Sequence, residues 1–318
     1  MNSLFTSSRI PWSQFVTMES PLPRGKSAGF ALFDVRLQPF IQLIMARTII
    51  QELEETVAFI RTLHSGRPRV GIILGSGLGN LTAEIRIEKE IPYGNIPNFP
   101  VSTVEGHQGK LIFGSLNGRD VVVLSGRFHY YEGYSPEQVV FPIRVMKFLG
   151  VEVLLLSNAA GGMNRDFRVG DLMIINDHIS MFTVNPLLGK NYDELGPRFP
   201  DMSEPYDRTL IKKGKAIAAR LQIPVHEGVY AGVTGPTFET RAEYKLLHIA
   251  GGDAVGMSTV QEVIAARHTG MLVFAMSVIT DLGIREEDNI ITHEEVLQAA
   301  SAAEPKLTGI FRELIAEL

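Results

Sequence analysis

From residue 45 onward the apolar positions fall into alternating helical and extended registers. Ile49, Ile50, Leu53, Val57, Ile60 and Leu63 repeat at helical spacing until Gly66 and Pro68 interrupt them. Short apolar runs predict strands over 69–74, 110–115, 119–124, 151–156, 171–176, 227–233, 253–257 and 271–279. Two of these, 110–115 and 119–124, are joined through Asn117-Gly118, whose ease of adopting positive φ makes it a strong hairpin signal. Ser135-Pro136 offers a hydroxyl cap and a first-turn proline for a helix, and further helices are expected over 207–221, 239–250 and 260–269. A last helix begins at Thr292, where Thr292 and Glu295 can form a capping box, and Pro305 should kink or break it. Residues 181–206 follow neither period. Strands alternating with helices, without an internal repeat or a linker-like break, predict one α/β domain over 45–318 with a largely parallel or mixed sheet.

Residues 1–44 stand apart. They hold the only tryptophan, Trp12, with several serines and basic residues, few acids and no sustained periodicity. They lack a clear cleavage site, and Met45 directly precedes the first patterned helix, so the segment reads as a disordered extension or a misassigned start rather than a targeting peptide.

Composition narrows the chemistry. A chain of 318 residues is long enough for a well-buried core, and its formal net charge of −5 argues against a broad nucleic-acid footprint or a polybasic membrane patch. No apolar run is long enough to span a bilayer. The absence of cysteine removes disulfides, thiolate metal sites and cysteine nucleophiles, and suits a cytoplasmic protein. There is no His-Glu-x-x-His, no close histidine pair on one helix face and no Gly-x-Ser-x-Gly elbow, so neither zinc nor a hydrolase triad is expected.

Three glycine-containing stretches follow predicted strands: Gly75–Gly79, Gly126–Tyr134 and Ser157–Gly162. Together they offer a hydroxyl (Ser76), a guanidinium (Arg127), an imidazole (His129) and free backbone N–H groups, the parts needed to hold an oxyanion. Gly75-Ser76-Gly77-Leu78-Gly79 misses the dinucleotide spacing, since its third glycine comes one position early, and no Lys-Ser or Lys-Thr follows to make a P-loop. It could also be only a tight strand-to-helix turn. In an extended segment Arg127, His129 and Tyr131 would share one side, with Glu132 placed to orient the histidine. Further on, Phe238 and Glu239 could stack on a flat heterocycle and accept its N–H groups, although Glu239 could equally serve the start of a helix. Ser258 or Thr259 is at least a cap. Asp281 is a carboxylate just past a strand, and His293 lies in the first turn of the last helix.

Taken in order, these segments resemble the trimeric, low-molecular-mass purine nucleoside phosphorylases over roughly residues 46–318. The likeness rests on Gly75–Gly79, Ile96–Phe99, Gly106-His107, Gly126–Tyr134, Asn158–Gly162, Gly235–Thr240, Val255–Thr259 and His293–Val296. The resemblance implies a central mixed sheet distorted towards a barrel and flanked by helices. It also implies reversible phosphorolysis of purine nucleosides, with inorganic phosphate as co-substrate and no cofactor. By motif, Ser76, His107, Arg127, His129, the Ala159 N–H and Ser258 would hold phosphate, with Glu132 orienting His129. Tyr131, Met257 and His293 would meet the ribose, and Asn158, Phe238, Glu239, Val255 and Asp281 the base. Phe199 resembles the residue that such enzymes insert into a neighbouring subunit's site, which implies a homotrimer.

One position departs from the pattern. Relatives specific for 6-oxopurines carry asparagine where this chain has Asp281 after Ile279-Thr280. An amide can donate and accept, whereas an ionised aspartate only accepts. A protonated Asp281 could donate to N7 and tolerate a 6-amino group, which predicts a base range wider than inosine and guanosine. The nearest competing reading is a 5′-methylthioadenosine phosphorylase, against which His293 and Ser258 argue. A dinucleotide-dependent oxidoreductase and a non-catalytic purine-binding protein are the readings from other classes.

Overall fold

Strand β1 (Val70–Leu74) is buried along its whole length, and the rest of the sheet grows outward from it. The computed structural model describes residues 47–76, 78–104, 108–284 and 292–318. The extension at 1–44 and His107 therefore lie outside the described residues. β1 pairs in parallel with β4 (Arg119–Ser125) on one side and β5 (Val153–Gly162) on the other. The hairpin expected at Asn117-Gly118 forms between β3 (Lys110–Leu116) and β4, with both turn residues at positive φ. Beyond it lies β2 (Arg86–Pro92), a strand that the apolar pattern did not predict because all but one of its side chains reach solvent at least in part.

On the other side the sheet closes. β5 pairs with β8 (Ala254–Gly256), which continues to β7 (Val225–Gly232), β6 (Leu172–Ile179) and β9 (Leu272–Leu282), and β9 pairs back onto β5. Five strands thus make a closed, mixed ring, and β2, β3, β4 and β1 extend from it as an open sheet. This is the barrel-like mixed sheet that the resemblance implied.

Helices cover both parts. α1 (Ile49–Leu63) is capped by Thr48 and Gln51, and α2 (Pro136–Leu149) by Ser135 and Gln138 with Pro136 at its start. α3 (Arg208–Arg220), α4 (Arg241–Ile249), α5 (Val260–His268) and α6 (His293–Ala316) follow. α6 runs through Pro305 without a break, one of the two outcomes expected there. Pro305 and Ser301, whose carbonyl loses its helical partner, are both exposed, so water can satisfy that oxygen. The core lies between helices and sheet: Ile72, Leu154, Leu155, Val273, Phe274 and Phe311 are fully buried. Among the described residues no helix is long and apolar enough to cross a membrane.

Candidate active site

The cleft opens where the sheet divides. β1 stops at Leu74, while β5 continues to Gly162 between β8 and β9. The stretch Ser157–Gly162, expected to follow a strand that ends at 156, is therefore itself strand. Its small residues carry little strand propensity, but ladder bonds from two neighbours hold them extended. Asp281 likewise lies within β9, opposite Gly161, and not beyond its end. Gly75 is needed here for a reason other than anion contact: a Cβ would sit 2.7 Å from the Ser157 carbonyl oxygen, so only glycine lets the two chains separate so closely.

At one end of the cleft Arg127 is almost fully buried. Its guanidinium meets the Glu262 carboxylate through Nε and Nη2, each at 3.1 Å, and Nη1 donates to the Ser157 carbonyl at 2.8 Å and to Ser258 Oγ at 3.1 Å. Glu262, in the first turn of α5, was not anticipated; it lies 135 positions from Arg127 and no local pattern links them. Ser258 is held by an unusual backbone. Thr259 has φ 70° and ψ −54°, and the Val260 N–H reaches the Ser258 carbonyl at 2.7 Å, a γ-turn that a β-branched residue adopts only under strain. Strain of this kind collects where side chains must be held for function.

His129 lies alongside. Its backbone N–H donates to Glu132 Oε1 at 2.8 Å and its Nδ1 lies 3.0 Å from the same oxygen. Burial lowers the His129 pKa, outweighing the Glu132 hydrogen bond that would raise it, so the ring is neutral near pH 7. Burial also pushes the Glu132 carboxyl up, but bonds from His129 and from the Thr103 hydroxyl and N–H outweigh it and hold the group at about 2. An ionised Glu132 accepts the Nδ1 hydrogen and leaves Nε2 as an acceptor. Tyr131 is not aligned by strand alternation, since Tyr130–Glu132 form a 3-10 turn. It reaches the same cleft by stacking on His129, with ring centroids 4.6 Å apart and planes 14° from parallel. Burial raises its hydroxyl to about 12.

The other end is built differently. Phe238 is partly exposed, and Glu239 precedes Thr240, the true cap of α4, whose side chain bonds Glu243. Glu239 therefore does not serve the helix start. Burial raises its pKa, with nearby Asp281 adding to that and Tyr244 opposing it, and its Oε1 is buried with no hydrogen-bond partner among the described residues. Tyr244 was also unanticipated. Its hydroxyl lies 3.1 Å from Asp281 Oδ2 and within hydrogen-bonding reach of Glu239. A tyrosine on the buried face of a short amphipathic helix reads as core packing, and only the helix's placement shows otherwise. Asn158 gives its amide hydrogen to Thr259 Oγ1 at 2.8 Å, while its Oδ1 is buried without a partner among the described residues.

One cleft is lined by Ser76, Arg127, His129, Tyr131, Asn158, Ala159, Phe238, Glu239, Val255, Met257, Ser258, Asp281 and His293, together with Tyr244 and Thr280. Phe199 does not line it and is 89% exposed. Among the described residues no three His, Asp or Glu side chains gather as a metal site would require. The arrangement can hold an anion beside a neutral imidazole at one end and bind N–H groups of a planar ring at the other.

A profile of the phosphorylase superfamily matches residues 69–316. The chain is 53% identical over 254 residues to purine nucleoside phosphorylase 1 of Geobacillus stearothermophilus, covering 80% of this chain and 92% of that protein. It is 48% identical over 264 residues to purine nucleoside phosphorylase of Rattus norvegicus, covering 81% and 91%. Among solved structures, Schistosoma mansoni purine nucleoside phosphorylase in complex with adenosine superposes with a TM-score of 0.81 at 45% identity, covering 86% of this chain and 99% of that one. The same enzyme in complex with inosine superposes with a TM-score of 0.81 at 44% identity, covering 86% and 98%.

Proposed function

The chain belongs to the phosphorylase superfamily, and on that footing we propose that it catalyses reversible phosphorolysis of purine ribonucleosides and deoxyribonucleosides to free purine and (deoxy)ribose 1-phosphate. The observation that carries this reading is a single cleft with Arg127, His129, Ser76 and Ser258 at one end and Phe238, Glu239 and Asp281 at the other.

Inorganic phosphate is the co-substrate and no cofactor takes part. Ser76, Arg127, His129, the Ala159 N–H and Ser258 hold it, with His107 expected near the same anion. Neutral His129 takes a proton from dihydrogen phosphate at Nε2, leaving the dianion, and Glu132 stabilises the imidazolium so formed. The bond between C1′ and the purine breaks with its electron pair going to the base, and the sugar acquires oxocarbenium character. A phosphate oxygen stabilises that cation and then bonds to C1′. Tyr131, Met257 and His293 position the ribose, while Asn158, Val255, Phe238, Glu239 and Asp281 hold the purine and control its protonation. Preorganised charges of this kind supply about 3–4 kcal/mol per removed donor in comparable sites.

Phe199 is an exposed aromatic outside its own cleft, which supports a homotrimer in which each subunit lends it to a neighbour. Sedimentation should then give three times the chain mass of 35.1 kDa. A chain without cysteine suits the cytoplasm. The deciding experiment is a substrate panel with and without phosphate. Hypoxanthine from inosine and guanine from guanosine should appear only with phosphate, each matched by ribose 1-phosphate. Base release without phosphate, or none at all, overturns the reading.

A further inference from the structure

β1 ends at Leu74, Ser76 lines the cleft, and a short 3-10 turn follows over Asn80–Glu84. Asn80 stands where a dinucleotide fingerprint would place its third glycine. In such a fingerprint the N–H groups that open the next helix face a bound pyrophosphate. Here they face a side chain of the protein itself. Glu304, on α6 and 224 positions away, accepts the Asn80 backbone N–H on Oε1 and, at 2.6 Å, the Asn80 amide on Oε2. Both carboxylate oxygens are thus bound to one loop residue.

Glu304 is 1% exposed, whereas Asn80 reaches solvent. Burial raises the Glu304 pKa, and the N–H groups of Asn80 and Leu81 oppose that rise. A buried carboxyl is costly unless its oxygens are used, and here they are used on the loop. α6 has anchors of its own, since Ala300, Ala303, Leu307, Ile310 and Phe311 are all buried along it. The helix is therefore the fixed partner, and the loop is what Glu304 holds.

The loop is pinned at its other end too. The Gly75 N–H donates to Ser157 Oγ at 3.3 Å, and a Cβ on Gly75 would collide with the Ser157 carbonyl. Leu78 is buried between the two pins, and its N–H donates to the Gly75 carbonyl at 3.1 Å. Ser76 thus lies between Gly75, held by β5, and Asn80, held by α6. An ion pair of Arg312 with Glu84, 3.3 Å apart and partly exposed, ties the far end of the 3-10 turn to the same helix.

We propose that Glu304 is a positioning residue for phosphate: by clamping Asn80 to α6 it fixes the loop that presents Ser76, although Glu304 does not itself line the cleft. The proposal rests on the phosphorolysis reading above, in which Ser76 is a phosphate ligand. Tyr131, Phe238 and Glu239, placed on the nucleoside, stand on other segments, so loss of the clamp weakens phosphate binding selectively.

The test measures kcat and the KM values for inorganic phosphate and inosine in the wild type, Glu304→Ala, Glu304→Gln, Asn80→Ala and Arg312→Ala. Glu304→Ala frees the loop and raises KM for phosphate by about tenfold, while KM for inosine stays within about twofold. Asn80→Ala keeps the backbone bond and raises KM for phosphate by about threefold. Added to Glu304→Ala it has no further effect, because both changes break one clamp. Glu304→Gln keeps an oxygen for the Asn80 N–H, and the Asn80 amide turns over to meet the new NH2 group. KM for phosphate then stays within about threefold of the wild type. Arg312→Ala, at the far end of the turn, leaves both KM values within about twofold. Equal rises in both KM values overturn the proposal, as does a lowered melting temperature with an unchanged KM for phosphate. If Glu304→Ala does not fold, Asn80→Ala decides, and an unchanged KM for phosphate there overturns the proposal. Each of these results leaves the phosphorolysis reading standing. Absence of phosphate-dependent base release in the wild type overturns that reading and the proposal with it.

Discussion

The two ends of the cleft are polar in different ways. At the phosphate end the polar groups are paired: Arg127 with the Glu262 carboxylate, neutral His129 with ionised Glu132, and Glu132 with the Thr103 N–H. At the base end two carboxyls compete for one phenol hydrogen, and Glu239 Oε1 and Asn158 Oδ1 are buried without partners among the described residues. The first end is organised before any substrate arrives, which is what stabilising a developing charge requires. The second leaves hydrogen-bonding capacity open for the ligand to complete, which is what discrimination among bases requires.

The sharpest way to break this contrast is to damage the organised end. Arg127→Ala should lower kcat/KM for inosine by about 10³-fold. It also strands Glu262 in the interior, so a loss of about 3–5 kcal/mol in unfolding free energy is expected by denaturant titration. At the open end Glu239→Gln should cost less, about 10²-fold in kcat/KM for inosine, with unfolding free energy little changed because Oε1 has no bond to lose. Equal stability losses in the two variants would erase the distinction. Phe199→Ala alters neither end of its own cleft and, through the neighbour's cleft, should raise KM by about tenfold, equivalent to about 1.4 kcal/mol, in a protein that sediments unchanged.

Smaller effects bear on pH and metals. Glu132 is held at about 2, below its ordinary 4.5, so its bonds stabilise the fold fully above pH 4.5 and lose that effect as pH falls towards 2. Glu132→Gln should therefore flatten the fall in melting temperature between pH 5 and pH 3. Dialysis against EDTA should leave kcat/KM unchanged, since neither end is expected to use a metal.

Much of the fold was legible because helices and buried strands follow simple periods. The caps at Ser135 and Thr292 and the Asn117-Gly118 turn are local signals and formed as expected. Edge strand β2 was not legible, because an exposed strand has no apolar period to show. The second half of β5 was missed for another reason: its small residues are made extended by partners more than ninety positions away. The candidate site divides along the same line. Arg127 with His129 and Phe238 with Glu239 are neighbours in sequence and could be read together. Glu262 and Tyr244 gain meaning only from the packing of α5 and α4, which no local pattern encodes.

The ring of strands has a consequence for the order in which the molecule forms. β5 is complete at Gly162, yet its outer edge stays open until β9, which ends at Leu282, pairs back onto it. The same late strand carries Thr280 and Asp281, and α6 brings His293 later still. A nascent chain can therefore assemble its phosphate-side hairpin and helices early, but it has no cleft until β9 and the start of α6 have emerged. Closure depends on pairings of long sequence separation, the slowest kind to form. Catalytic competence should arrive in one late step, after most of the secondary structure is already in place.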